Sequence, residues 1–402
     1  MASAFIPYGI YWSTPFAKWQ GSLAHLHSLK LAANVGKQFL QSKNFPVEKI
    51  DLGVLGLTNP QPSSFYGLPW VTGMMGLEDV TGPTVTQACA TSVRALQTAA
   101  QEIAAGSASV ALVVTADRMS NGPVVYYPDA TAPGGQGITE SWTLDNFNND
   151  PHAKNAMIET GENVARRFGI STQQQHEVVL QRYAQYQNSL ADERAFQRRY
   201  MVDVSITDAG FRKQTGTFAA DEGIFHTTPE ALARLKPVKP EGTVTFGGQT
   251  HPADGNAGAI LTTRERAREF AVDRNIEVEL LGFGMARVEK GFMPMAPVPA
   301  ARAALKAADL EFKDVDAVTS HNPFALNDIV FNRETGFALE KMNAYGCSLI
   351  WGHPQGPTGM RSTIELIEEL VLRGGGTGLF TGCAAGDSAM ALVLRVSDKR
   401  RT

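Results

Sequence analysis

The sequence predicts an α/β protein built from two similar halves, with a polar segment inserted into the first. Three observations carry this. Apolar segments with helix and strand periodicity alternate along the chain. The order helix, strand, helix, strand occurs twice at half-chain spacing, which is the mark of two related units packed together. Between the two copies, residues 120–245 are instead rich in Asn, Gln, Arg and Tyr.

In chain order, residues 23–40 read as an amphipathic helix and residues 50–57, IDLGVLGL, as a buried strand. Residues 82–105, GPTVTQACATSVRALQTAAQEIAA, open on a short Thr/Val run and continue with Val93, Leu96, Ala99, Ala100 and Ile103 at helical spacing. A strand follows at 108–115. The second copy has a helix at 298–308, a strand at 315–320, a helix at 358–372, and strands at 378–384 and 389–394 around a turn at Cys383. Asp51 and Asp314 stand at the opening of corresponding strands. The alternation favours mostly parallel pairing. The segment between the copies carries helices at 156–167 and 172–188 and turns near Gly210 and Gly223, and reads as a lid. The expected units are 1–119 with 246–270, the insertion 120–245, and 271–402.

The 402 residues are 43% hydrophobic and 19% charged, with a net charge of −4. That balance offers nothing to nucleic acid and no membrane attraction. No apolar run reaches membrane-spanning length and the start has no signal-peptide pattern, so a cytoplasmic protein is expected. Three cysteines, Cys89, Cys347 and Cys383, argue for a reducing compartment, and the lack of Cys-x-x-Cys argues against a zinc site.

Cys89 falls on a strand-to-helix turn, at the positive end of a helix that Thr91 or Ser92 is expected to cap. The helix dipole favours a reactive thiolate there, against the commoner alternative of a buried structural thiol. Three loops add chemistry. In SHNPFA, residues 320–325, His321 can titrate and Asn322 can hydrogen-bond, beyond the end of a buried strand. In GCSLIWGHPQGPTG, residues 346–359, His353 is held between Gly352 and Pro354. In TGCAAG, residues 381–386, Cys383 is surrounded by small residues. Two thiols and an imidazole in Gly-rich loops fit acyl transfer through a thioester.

With these segments together, the chain resembles the thiolase family along nearly its whole length. TQACATSVRALQTA resembles the family's nucleophile segment, and ADRMSNGP (116–123) the stretch after the next strand. MIETGENVARRFGIS (157–171), LARLKPV (232–238) and GTVTFGGQTHPADG (242–255) resemble its loop domain, and GHPQGPTG and GLFTGCAAG its C-terminal signatures. The resemblance implies a layered αβαβα core with an inserted loop domain. It implies Cys89 as acylated nucleophile, His353 as its activator and Cys383 as acid/base thiol. Asn322, acting through water with His353, would form one oxyanion hole; the amides of Cys89 and of Gly386 or a neighbour would form the other. Thr250 matches a serine near the coenzyme A tail, and Met157, Trp351, Gln355, His321 and Phe324 would line the substrate pocket. Coenzyme A enters as co-substrate with no permanently bound cofactor, in a homodimer or dimer-based oligomer.

Departures refine this. The family's Asn-Glu-Ala-Phe is set against Asn322-Pro323-Phe324-Ala325, and its Cys-x-Gly against Cys383-Ala384-Ala385-Gly386. Trp351 and Gln355 replace smaller or apolar residues, which points to bulky, aromatic or carboxylated acyl-CoAs. The pattern resembles partner-dependent bacterial relatives such as benzoylsuccinyl-CoA thiolase, which implies a small zinc-ribbon/OB-fold partner protein. The alternatives are a ketosynthase-like acyltransferase or a non-catalytic acyl-CoA-binding subunit.

Overall fold

The computed structural model describes residues 3–400. Its core is an eleven-stranded mixed sheet whose two ends have the same design. At one end, strand Leu52–Gly56 runs parallel to Val110–Arg118, which pairs antiparallel with Ala253–Thr262. At the other, Ala317–His321 runs parallel to Gly375–Ala384, which pairs antiparallel with Ser388–Asp398. Strand Ala4–Ile6 bridges the halves by pairing with both Ala253–Thr262 and Ile276–Arg287. The expected parallel majority is therefore corrected. Parallel neighbours need a crossover, and only the strands separated by helices have one; Gly375–Ala384 and Ser388–Asp398 are joined by a tight turn and must run antiparallel.

The order helix, strand, helix, strand is seen twice: Ser28–Ser42, Leu52–Gly56, Thr91–Ala105, Val110–Arg118, then Pro297–Ala307, Ala317–His321, Gly356–Arg373, Gly375–Ala384. Helices Thr91–Ala105 and Gly356–Arg373 form the central layer. Val93, Leu96 and Ile103 of one and Met360, Ile364 and Ile367 of the other share a core with Val113, Leu261, Phe380 and Leu392 from both ends of the sheet. Helix Ser28–Ser42 covers the outer face of the first half, and Pro297–Ala307 with Ala325–Thr335 that of the second. The result is α–β–α–β–α. Fully burying one Leu or Ile contributes about 1.5–3 kcal/mol, so the shared core holds the two halves in one register. Gly356–Arg373 is buried all round through Leu370, as a middle layer requires.

Residues 124–233 carry two antiparallel hairpins, Val124–Tyr127 with Ile138–Ser141 and Val204–Thr207 with Gln214–Phe218, and the helices Met157–Phe168 and Thr172–Arg194. Among the described residues no helix is long and apolar enough to cross a membrane.

Candidate active site

Cys89 lies just before helix Thr91–Ala105, after Ala88, which is held at φ +45°. The left-handed turn aims the sulfur off the end of the sheet rather than along the strand; such a conformation costs a non-glycine residue energy and persists only where its surroundings enforce it. Here Thr91 enforces it, donating its hydroxyl to the Ala88 carbonyl at 2.7 Å and accepting the Gln87 N–H at 2.8 Å. Thr91 and Ser92 are therefore not caps: the capping position is Ala90, and the Ser92 hydroxyl donates to the Gly356 carbonyl.

Strand Ala317–His321 and the loop before helix Gly356–Arg373 bring two imidazoles to this sulfur. The rings of His321 and His353 stack with centroids 4.0 Å apart. One nitrogen of each and the Cys89 sulfur lie within 4.8 Å of one another, the one His/Cys/carboxylate group among the described residues compact enough to hold a metal ion. Nδ1 of His353 meets the Thr358 hydroxyl at 2.6 Å, and Nδ1 of His321 meets the Ser348 hydroxyl at 2.8 Å. Both Nε2 atoms are buried without a partner. Burial depresses both rings, His321 to about 3 and His353 well below the ordinary value, the latter also through His321 and His251. Both are thus neutral.

Burial also pushes the Cys89 thiol up to about 12, against the backbone N–H of Ala385 and its own amide, which favour the thiolate. Desolvation here opposes the thiolate that the helix end was expected to favour. Instead Cys89 donates its S–H to Oε1 of Gln355 at 3.2 Å. Cys383 is fully buried; Nδ2 of Asn327 donates to its sulfur at 3.3 Å, and burial, then the neighbouring Cys89, holds its thiol well above the ordinary range.

A cavity of about 490 Å³ opens on Cys89, lined by His353, Phe324, Met157, Gln249, Thr250, His251 and Phe246 among others. It shares Phe246, Gln249, Thr250 and His251 with an outer groove of about 420 Å³ that runs past Gly223, Phe225 and Leu235. A third cavity of about 270 Å³ lies beyond Gln355, Met157 and Ala385, lined by Asn59, Met119, Trp142, Thr143 and Phe147.

Asn322 and Trp351, named from the sequence, are placed differently, and of Gly386 and its neighbours one is singled out. Asn322 is fully buried and bonded internally: its amide donates to Asp328 at 2.7 Å and to the Cys347 sulfur, and its oxygen accepts from Ser348 and Leu349. Trp351 is fully buried behind the site, edge-on to Phe16 and under the Arg361 guanidinium. Gly386 turns its carbonyl to Arg287, and its neighbour Ala385 supplies the amide at Cys89. Thr250 does line the cavity, with its hydroxyl donated to the Ser348 carbonyl. His251 and Asn59 were not foreseen, and of these only His251, beside Pro252, carried a visible signal; Ala385 is the neighbour of Gly386 that the resemblance allowed for.

Residues 12–265 match the N-terminal thiolase domain and residues 275–396 the C-terminal thiolase domain. The chain belongs to the thiolase family. It is 29% identical over 391 residues to the acetyl-CoA acetyltransferase of Escherichia coli, covering 95% of this chain and 96% of that one. It is 31% identical over 393 residues to a Pseudomonas aeruginosa β-ketoadipyl-CoA thiolase, with 95% and 96% covered. The solved acetyl-CoA acetyltransferase of Bacillus anthracis superposes with a TM-score of 0.89 at 26% identity, over 98% of this chain and 99% of that one. A human mitochondrial 3-ketoacyl-CoA thiolase solved with CoA shares the fold, with a TM-score of 0.88 at 24% identity over 98% of each chain. As a thiolase, the protein is an acyltransferase.

Proposed function

We propose that this thiolase cleaves a 3-oxoacyl-CoA with coenzyme A, and runs the reverse condensation, through an acyl-Cys89 intermediate. The observation that carries the reading is the pair of unpartnered, neutral Nε2 atoms beside a thiol whose sulfur also receives the Ala385 N–H.

The Cys89 sulfur attacks the 3-oxo carbon while its proton passes to Nε2 of His353, a neutral base with its other nitrogen anchored on Thr358. The amides of Cys89 and Ala385 receive the oxyanion that forms. The C2–C3 bond breaks, its electron pair remaining on C2 of the leaving acetyl-CoA enolate. The enolate oxygen rests against the His321 and His353 edges, and Cys383 gives its proton to C2. Coenzyme A then attacks the thioester, its thiol proton going to the Cys383 thiolate; His353 returns the first proton to Cys89. Every proton taken is returned. His321 here fills the role that the resemblance gave to Asn322. The outer groove and the Cys89 cavity accommodate the pantetheine arm, and the third cavity takes the acyl chain.

Intact-mass analysis tests this directly. Incubation with acetoacetyl-CoA or a bulkier 3-oxoacyl-CoA is expected to add one acyl group at Cys89. Cys89→Ser abolishes the adduct and thiolysis, since an alcohol holds its proton far more tightly than a thiol and is the weaker nucleophile; thiolysis near the wild-type rate in that variant would refute the assignment.

A further inference from the structure

The proton on Cys89 points away from the bases that could take it. The S–H is donated to Oε1 of Gln355 at 3.2 Å, while Nε2 of His353 and of His321 have no partner. On the acyl-Cys89 reading above, on which this inference rests, that proton must change partner before the sulfur can attack. The carboxamide is held in its place by the backbone. Gln355 sits at φ +61° and ψ −100°, a conformation that costs a non-glycine residue energy and persists only where its surroundings enforce it. After it, the Gly356 N–H donates to Asp117 at 2.8 Å and the Gly356 carbonyl accepts the Ser92 hydroxyl. Before it, the His353 N–H donates to the His251 carbonyl at 2.8 Å. The main chain is pinned on both sides, so any yielding falls to the side chain.

Gln355 also stands between two cavities. With Phe147, Met157 and Ala385 it lines both the cavity that opens on Cys89 and the third cavity beyond. An acyl group that reaches from the sulfur into the third cavity therefore passes the carboxamide. An acetyl group has a single methyl beyond its carbonyl and leaves that cavity empty. The third cavity is walled by Met119, Trp142, Phe147 and Met157, and its volume of about 270 Å³ exceeds the roughly 150 Å³ that suffices for benzene. No Lys, Arg or His lines it, and its one carboxylate is Glu140, so a charged chain would be desolvated there without a counter-ion.

We propose that Gln355 is a specificity-determining residue, which keeps the Cys89 proton from His353 until an acyl group longer than acetyl enters the third cavity and turns the carboxamide aside. The S–H bond then breaks toward Nε2 of His353 as the sulfur bonds to the 3-oxo carbon, and the carbonyl electron pair moves to its oxygen. The preferred substrate is a 3-oxoacyl-CoA with an uncharged, apolar acyl group that fills the space beyond Gln355. A short acyl group makes no contact that differs between the two positions of the carboxamide, so it cannot shift them.

Three alkyl ketones test this: acetoacetyl-CoA, 3-oxooctanoyl-CoA and β-ketoadipyl-CoA, each at saturation, with Cys89 acylation followed by quenched intact mass. Wild type is expected to react with 3-oxooctanoyl-CoA at least about fivefold faster than with acetoacetyl-CoA, the factor that one hydrogen bond of ordinary net strength is worth. β-Ketoadipyl-CoA is expected to be slower than 3-oxooctanoyl-CoA. Gln355→Met keeps the length of the side chain and removes the acceptor. It is expected to speed acylation by acetoacetyl-CoA about fivefold and bring the two uncharged probes close to equality. The iodoacetamide profile of the free enzyme should also move about 0.7 pH unit lower, the same factor on a logarithmic scale; a side chain that only fills space leaves that profile where it is. Equal saturating rates for the two uncharged probes in wild type overturn the proposal without any variant, and so does an unmoved ratio or an unmoved profile in Gln355→Met. β-Ketoadipyl-CoA as the fastest probe overturns the substrate class. All of these leave the acyl-enzyme standing, whereas absence of a Cys89 adduct with every probe overturns the acyl-Cys89 reading and this proposal with it.

Discussion

At the scale of single residues, the site is run by neutral groups held in dry surroundings. With the Cys89 thiol near 12 and His353 well below the ordinary imidazole value, the free enzyme holds thiol and imidazole, not thiolate and imidazolium. Iodoacetamide alkylation of Cys89 is therefore expected to rise about tenfold per pH unit between pH 7 and 9, following the thiolate fraction. A flat profile would show a resting ion pair instead. His321 makes a second titration visible. Its folded value of about 3 lies below the ordinary 6.5, so the unfolded chain takes up this proton first on acidification. The stability that His321 contributes is present above pH 6.5 and falls as the pH drops toward 3, by about 1.4 kcal/mol per unit at most. Urea melts of wild type and His321→Asn at pH 7, 6, 5 and 4 isolate it: the wild type is expected to lose ground to the variant at each acid step, and parallel curves would place the ring in solvent. Cys89, His353 and Cys383 were legible because reactive side chains in Gly-rich loops after strands are scarce. Asn322 misled for a backbone reason. Successive residues at the end of a strand point to opposite faces, so His321 faces Cys89 while Asn322 turns to Asp328. Placing Phe324 on the Phe of the family's Asn-Glu-Ala-Phe sets His321 on its Asn, the register that the geometry supports.

At the scale of elements, Asp117 gathers three segments that the sequence keeps far apart. Its carboxylate, near the end of strand Val110–Arg118, accepts from the amides of Thr58 and Asn59, the Thr58 hydroxyl and the amide of Gly356 at the start of the central helix. It thus anchors the turn carrying Asn59 and the residue after Gln355. Burial raises it to about 7. Asp117→Ala leaves these donors unpaired, at about 1–3 kcal/mol for each that water does not reach, so a loss of roughly 3 kcal/mol or more in denaturant melts is expected, with a fall in kcat as Gln355 loosens. For a group raised above its unfolded value, the contribution is full below about pH 4 and is lost as the pH climbs through 7. The advantage of wild type over Asp117→Asn is accordingly expected to narrow across that range; a widening gap would mean that the carboxylate is ionised and stabilising. Helices and strands were readable from their periods, whereas this knot was not, because an Asp in ADRMSNGP has the composition of an ordinary turn.

At the scale of the whole molecule, the segment 120–245 is fastened to the body by buried arginines. Arg361, on the central helix, holds Asp221 by two hydrogen bonds of 2.6 and 2.8 Å and Glu365 at 3.0 Å, while Arg182 of helix Thr172–Arg194 meets Asp328 at 2.8 Å. Asp221 also accepts the Phe16 amide and the Tyr186 hydroxyl, so one carboxylate joins the inserted segment to the N-terminal strands and to the central helix. None of this was legible: a charged residue in an otherwise apolar helix reads as its solvent face, and only the layering shows that Gly356–Arg373 has none before Val371. Removing one partner of such a pair strands the others, costing about 3–5 kcal/mol, whereas an exposed pair is worth less than about 1. Arg361→Ala is expected to lose that much in chemical denaturation, and Arg198→Ala, whose pairing with Glu193 is exposed, to change little. The activity should change in a particular way. Asp221 sits two residues before Gly223 and four before Phe225, both on the outer groove that leads to Cys89, while the His353 ring is held by Thr358 three residues before Arg361. If the arginine chiefly pins the inserted segment, KM for coenzyme A rises severalfold while the rate of Cys89 acylation from a saturating 3-oxoacyl-CoA changes less. If acylation falls as far as coenzyme A binding weakens, the central helix rather than the insertion is the part that Arg361 holds in place.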